Sequence, residues 1–166
     1  MAGRPSGEAL DPELSGPVAQ DLIEVDHRGR VLLSPRIISE IHWLNNSPKG
    51  DLQALAILDR PKTVRLLSFD EAGAAVLSRR RQLIGMIDTD RTSLEELVLL
   101  EDRYHRVKIP QDRRLTLSNL LIAHLEVKPG ETFLYVERVA EEVRLLSPEG
   151  RMRRISSADQ QLSGLP

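Results

Sequence analysis

Cysteine is absent from the 166 residues, so the chain has no disulfide framework and no thiolate metal site. The four histidines, His27, His42, His105 and His124, show no ligand spacing, and no metal is expected. Aromatic residues make up only 3% of the chain, which disfavours stacking on exposed bases as a binding mode. No run of apolar residues is long enough to cross a membrane. Met1–Gln20 lacks the apolar stretch of a secretory signal. Together these absences predict a cytoplasmic protein. An excess of positive charge is also missing: 23 Lys and Arg face 25 Asp and Glu, for a net charge of −2. A bulk-charge binder of nucleic acid is thereby excluded, and any DNA contact has to come from a local cluster. There is no Gly-rich phosphate loop, no nucleophile elbow and no carboxylate pair suited to acid–base work. The sequence therefore predicts no enzyme, no cofactor and no small-molecule substrate.

What is present is a repeat. Asp26-His-Arg-Gly-Arg30 and Asp102-Arg-Tyr-His-Arg106 both read D-x-x-x-R. Each is followed by alternating apolar residues and a proline, Val31, Leu33 and Pro35 in one case and Val107, Ile109 and Pro110 in the other. A short helical pattern comes next, with Ile37, Ile38, Ile41 and Leu44, then with Leu120, Leu121 and Leu125. Turn signals follow at Ser47-Pro-Lys-Gly50 and Lys128-Pro-Gly-Glu131, then strand-like runs over Leu52–Leu58 and Thr132–Val136. Both halves then spell the same pentapeptide, Val64-Arg-Leu-Leu-Ser68 and Val143-Arg-Leu-Leu-Ser147.

Ser68 with Glu71 forms a capping box that predicts a helix from Phe69 to about Ile84. Ser147-Pro148 could open a second helix, expected to be short or absent. Leu94–Leu100 reads as a strand. The expected organisation is a disordered tail over 1–20, repeats over 21–85 and 86–155, and a disordered tail over 156–166. Each half alone is too small for a sound core, so the halves should fold against each other or against a second chain.

These motifs resemble those of the MraZ-type transcriptional regulators, in the AbrB-like swapped-hairpin group. The resemblance rests on Asp26, Gly29 and Arg30 in half one, and on Asp102, Arg106, Val107, Ile109 and Pro110 in half two. It implies a mainly β fold with short helices (α+β), built as two tandem AbrB/MraZ-like swapped-hairpin repeats that form an intramolecular pseudo-dimer. It also implies a nucleoid-associated, sequence-specific DNA-binding regulator, of the kind that controls a division and cell-wall gene cluster, acting as a homo-oligomer such as a ring. Half two departs from the pattern with His105 where glycine is expected, and half one has Ser34 where proline is expected.

Arginine suits DNA because its planar fork pairs with phosphate or guanine through two bonds. The candidate DNA-binding residues are Arg28, Arg30, Arg36, Arg103, Arg106 and Lys108, with Arg113 and Arg114 as further cations in half two. Two roles fit Asp26 and Asp102: holding the arginine of the motif next to DNA, or a purely architectural ion pair. Arg79-Arg80-Arg81 suits a solvated face late in its helix, and Arg151, Arg153 and Arg154 read as a basic tail. Trp43 is expected in the core of half one. Two other functional readings stand beside the regulator. One is an oligomeric scaffold or protein-interaction module that keeps the fold without DNA binding; the other is an antitoxin-like regulator.

Overall fold

The computed structural model describes residues 18–45, 50–128 and 133–162. The architecture is mixed α+β. Half one contributes β1 (Val18–Glu24), β2 (Arg30–Leu32), α1 (Pro35–Glu40), α2 (His42–Asn45), β3 (Leu52–Arg60), β4 (Thr63–Ser68) and α3 (Phe69–Met86). The chain continues through α4 (Arg91–Arg103), β5 (Tyr104–Ile109), β6 (Arg114–Thr116), α5 (Asn119–Leu125), β7 (Phe133–Val139), β8 (Glu142–Leu146) and α6 (Pro148–Gln161).

Six strands form one antiparallel sheet in the order β1-β7-β8-β4-β3-β5, and β2 pairs with β6 in a separate ribbon. The two tight hairpins, β3–β4 and β7–β8, occupy the middle of the sheet. The outer strands cross over: β1 pairs with β7 of the other half, and β5 pairs with β3. The expected units 21–85 and 86–155 therefore share one sheet, each lending an edge strand to the other's hairpin.

The repeated pentapeptides meet at the centre. Val64 lies opposite Leu145, Leu66 opposite Val143, and Arg65 opposite Arg144. Alternation sends Val64, Leu66, Val143 and Leu145 inward, where all four are fully buried. The same alternation sets the two arginines face to face on the outer surface of the sheet. Like charges directly opposite destabilise a strand pair. Glu142 resolves this by accepting from Arg65 Nε at 2.7 Å and from Arg144 Nε. Asp59 takes Arg65 Nη1 at 2.5 Å, and Glu137, only 4% exposed, takes Arg144 and Arg154.

One core lies between the inner face of the sheet and a layer formed by the ribbon with α1, α2 and α5. It joins Val31, Leu33 and Ile37 from half one to Leu115, Leu117 and Leu121 from half two, over Ala54, Leu66, Leu134 and Leu145 of the sheet. Trp43 belongs to it as expected, and its indole Nε1 also donates to the carbonyl of Glu141 across the halves at 2.7 Å. On the outer face α3 covers Leu55 and Ile57 with Phe69.

Several expectations are corrected. Leu94–Leu100 is not a strand but the body of α4. The run is rich in Leu and Glu, both good helix formers, and Asp90 caps it by accepting from Thr92 N at 2.9 Å. Glu96 and Glu101 then pair with Arg79 and Arg80 of α3, so two of the three consecutive arginines clip a helical hairpin together rather than simply meeting solvent. The helix after Ser147 spans fourteen residues, so 156–161 is helical rather than tail. Ser147 Oγ caps it by accepting from Gly150 N at 3.0 Å; Arg151 stacks 4.4 Å over Tyr135, and Arg154 pairs with Glu137. These anchors are polar, which is why an apolar stripe did not announce them. Ser68 precedes α3 as expected, but its side chain makes no cap hydrogen bond. Val18–Gln20, inside the expected N-terminal tail, belong to β1. The rest of that tail, the turn residues Ser47–Lys49 and Pro129–Glu131, and Thr132 lie outside the described residues. Among the described residues no helix is long and apolar enough to cross a membrane.

The central seam can be tested by denaturation. Glu142→Gln leaves two facing cations without their shared anion and should lower unfolding free energy by about 2–3 kcal/mol. Arg144→Met removes one of the repelling charges and should cost less, because Glu142 keeps Arg65. Urea melts that rank the two variants the other way would contradict this electrostatic account. In the core, Leu66→Ala should cost about 2–5 kcal/mol, whereas Val98→Ala, at a side chain 61% exposed, should stay within about 0.5 kcal/mol.

Candidate nucleic-acid interface

The first D-x-x-x-R segment builds a self-contained turn between β1 and β2. Asp26 Oδ1 accepts from the backbone N–H of Arg28 at 2.8 Å and of Arg30 at 2.9 Å, while Oδ2 accepts from Arg30 Nε at 2.9 Å. Gly29 closes the turn with φ of 72°, a left-handed conformation that suits a residue without Cβ. The backbone hydrogen bond from Arg30, the other donors and the nearby guanidinium lower the Asp26 pKa from 3.8 to about 2. Of the two roles open to Asp26, the architectural one is therefore in place.

The counterpart in half two is not Asp102–Arg106. Asp102 sits in the last turn of α4, its carbonyl accepting from His105 Nε2 at 2.7 Å, and no ion pair joins it to Arg106. The matching turn comes eight residues later, over Pro110–Arg114. Arg113 takes the left-handed position with φ of 61°, and its N–H donates to the Pro110 carbonyl at 2.8 Å, as Gly29 N–H donates to Asp26 O at 3.0 Å. Asp112 Oδ1 accepts from Arg114 N at 3.1 Å. The sequence did carry a signal for this register: Arg30-Val-Leu-Leu-Ser34 and Arg114-Leu-Thr-Leu-Ser118 match, and both serines cap the following helix. A proline stands where the aspartate would be, so a search for D-x-x-x-R passes over the segment.

Strands β2 and β6 then pair in a symmetrical register, with Val31 opposite Leu115, Arg30 opposite Thr116 and Leu32 opposite Arg114. Leu33 N donates to Arg113 O at 3.1 Å and Leu117 N to Gly29 O at 2.8 Å, which closes the ribbon at both ends. Val31 and Leu115 are fully buried. Alternation turns Arg30 and Arg114 the other way, on diagonally related positions of the outward face, with Arg28 and Arg113 on the flanking turns. Over 26–32 and 110–116, four arginines meet two aspartates, a local excess of two positive charges in a chain of net charge −2. A two-stranded antiparallel ribbon has the width of a DNA major groove.

The other expected residues are scattered. Arg36 lies near the start of α1, 58% exposed and 3.8 Å from Glu40. Arg103 lines a groove between α3 and α4 with Ala75, Val76 and Leu99, away from the ribbon. Arg106 is on edge strand β5, its guanidinium 4.2 Å above the Phe69 ring. Lys108 pairs with Asp51 at 2.9 Å, and that bond, with a backbone N–H from Gln111, lowers the Asp51 pKa. Arg106 and Lys108 thus have intramolecular partners. Among the described residues no three His, Asp or Glu side chains converge to hold a metal ion.

No protein-family model matches the chain, and no curated protein does.

The Asp26 turn predicts a pH signature. Its folded-state pKa is depressed, so the stabilisation is present above pH 4 and is lost as pH falls toward 2. Wild type should exceed Asp26→Asn in stability by a constant margin near neutrality, and the margin should shrink over that acidic window. Acid titrations of both proteins followed by circular dichroism would show it; parallel curves down to pH 2 would rule it out.

Proposed function

We propose that this chain is a sequence-specific DNA-binding transcriptional regulator, acting as an oligomer and contacting DNA through the β2–β6 ribbon. The observation that carries the reading is the pair Arg30 and Arg114, held outward on opposite strands by two turns of matching geometry. We likewise infer two tandem AbrB/MraZ-like swapped-hairpin repeats forming an intramolecular pseudo-dimer. The palindromic strand order and the crossed edge strands support it. In this reading the pseudo-dimer offers two similar half-surfaces, and oligomers would bring several ribbons onto short repeated sites, raising affinity through multivalency. Association with the nucleoid follows from the same reading, as does control of a division and cell-wall gene cluster.

A second reading has an observation of its own. Leu94 and Val98 lie one turn apart on α4 and are 47% and 61% exposed, while the ribbon's excess charge is only two. A protein-interaction module that keeps this fold without binding DNA would use such a surface.

A titration against fragments of genomic DNA at two salt concentrations separates the readings. Selective binding should weaken with salt, because phosphate contacts release counterions. Arg30→Ala and Arg114→Ala should each cost roughly 1–3 kcal/mol if they read base edges, or reduce the salt slope by about one if they touch phosphate. Arg106→Ala, whose guanidinium sits on Phe69, should change little. A folded protein that binds no fragment at low salt would sink the regulator and leave the interaction module.

A further inference from the structure

One surface of the molecule gathers four arginines outside the ribbon. A pocket of about 320 Å³ opens between the β3–β4 turn, β8 and α6. Four guanidinium groups line it, from Arg60, Arg144, Arg153 and Arg154, together with Thr63 and Ser157. Among the described residues no carboxylate lines it. The helix contribution is ordered: Gly150, Arg153, Arg154 and Ser157 fall at i, i+3, i+4 and i+7, the spacing that sets residues on one helix face. A face of that kind normally presents an apolar stripe to the protein. Here it presents two arginines, a hydroxyl and a glycine.

Four cations around one pocket repel one another unless anions offset them. Arg144 and Arg154 are offset from behind by Glu137, and Arg144 also by Glu142. Arg153 has only a long contact, 3.4 Å, to Glu149. That carboxylate lies 2.6 Å from Lys62 Nζ, a side chain 6% exposed, and the pair lowers the Glu149 pKa and raises that of Lys62. Arg60 is exposed and its guanidinium makes no hydrogen bond or ion pair among the described residues. The positive potential of Arg60 and Arg153 is therefore left to converge on the pocket, with the hydroxyls of Thr63 and Ser157 beside it. Pro61 and Leu146 supply an apolar wall. A volume near 300 Å³ is at the small end of ligand sites.

We infer that this pocket binds a small phosphate-bearing molecule, with Arg60 and Arg153 holding the phosphate and the Pro61–Leu146 wall receiving the organic part. Guanidinium forks match phosphate and carboxylate oxygens bidentately, and a phosphate, with three terminal oxygens and the larger charge, can engage two forks at once where a carboxylate or a halide cannot. The site shares no residue with the β2–β6 ribbon, so it stands or falls independently of the DNA reading.

Isothermal titration of the intact chain with pyrophosphate, adenosine 5′-monophosphate and adenosine tests the proposal. Pyrophosphate should give saturable binding, adenosine 5′-monophosphate should bind as well, and adenosine should give none. The double variant Arg60→Gln, Arg153→Gln removes two exposed side chains, so its unliganded melting temperature should match wild type while its affinity for either phosphate falls at least tenfold. Saturable binding of pyrophosphate alone would support the anion site and assign the wall no role. No saturable heat with either phosphate, or unchanged affinity in the folded double variant, would overturn the proposal. So would a double variant that loses DNA affinity while pyrophosphate gives no heat on wild type, because these arginines would then belong to a nucleic-acid surface.

Discussion

The fold depends on a seam between two strands that share one stretch of sequence. Val-Arg-Leu-Leu-Ser occurs once in each half, and the two copies run antiparallel against each other as β4 and β8. Everything to one side is a hairpin of half one carrying the edge strand of half two, and everything to the other side is the reverse. The inward residues of the seam are apolar and join the two hairpins into one core. The outward residues are two arginines that would push the strands apart, and a single glutamate shared between them turns that repulsion into a bridge. Such a partly buried ion network adds little net stability, and the alternation of buried and outward residues along both strands sets the register. A slip of either strand by one residue would turn its arginine into the core.

A second consequence of this arrangement is the ribbon. Because each first strand joins the far hairpin, the chain must return through a tight turn, and the two turns emerge beside each other as β2 and β6. Val31 and Leu115 pin the ribbon to the core, and the same alternation sets Arg30 and Arg114 outward. The candidate interface is thus a by-product of how the halves interlock, and the geometry of one turn constrains the other through Leu33–Arg113 and Leu117–Gly29.

Much of this was legible in the sequence, and the parts that were not share a cause. The repeat, the strands β3, β4, β7 and β8, and the helix after Ser68 followed from local pattern. Asp26, Gly29 and Arg30 are legible because the hydrogen bonds of the Asp26 carboxylate that shape the turn lie within five residues. The second turn was missed because its backbone shape survives without the aspartate: Pro110 sets the entry and Arg113 accepts the left-handed conformation at some cost. By sequence Arg106 and Lys108 are candidates for DNA contact, but Phe69, thirty-seven positions away, and Asp51 hold them. α4 was read as a strand because a short apolar run does not distinguish the two, and the ion pairs that hold it to α3 span 17 and 21 residues. α6 was missed for the same reason, being tethered by Glu137 and Tyr135 rather than by an apolar stripe. Contacts distant in sequence and polar in kind leave little trace in hydrophobic periodicity.

The central claim is that neither half can form its core without the crossed strand of another half. Production of fragments 1–87 and 88–166, separately and mixed, tests it most directly by sedimentation and thermal melting. The account predicts that neither fragment melts cooperatively as a monomer, and that folded material appears only in species containing two fragments. A single fragment that sediments as a monomer and unfolds cooperatively would contradict it.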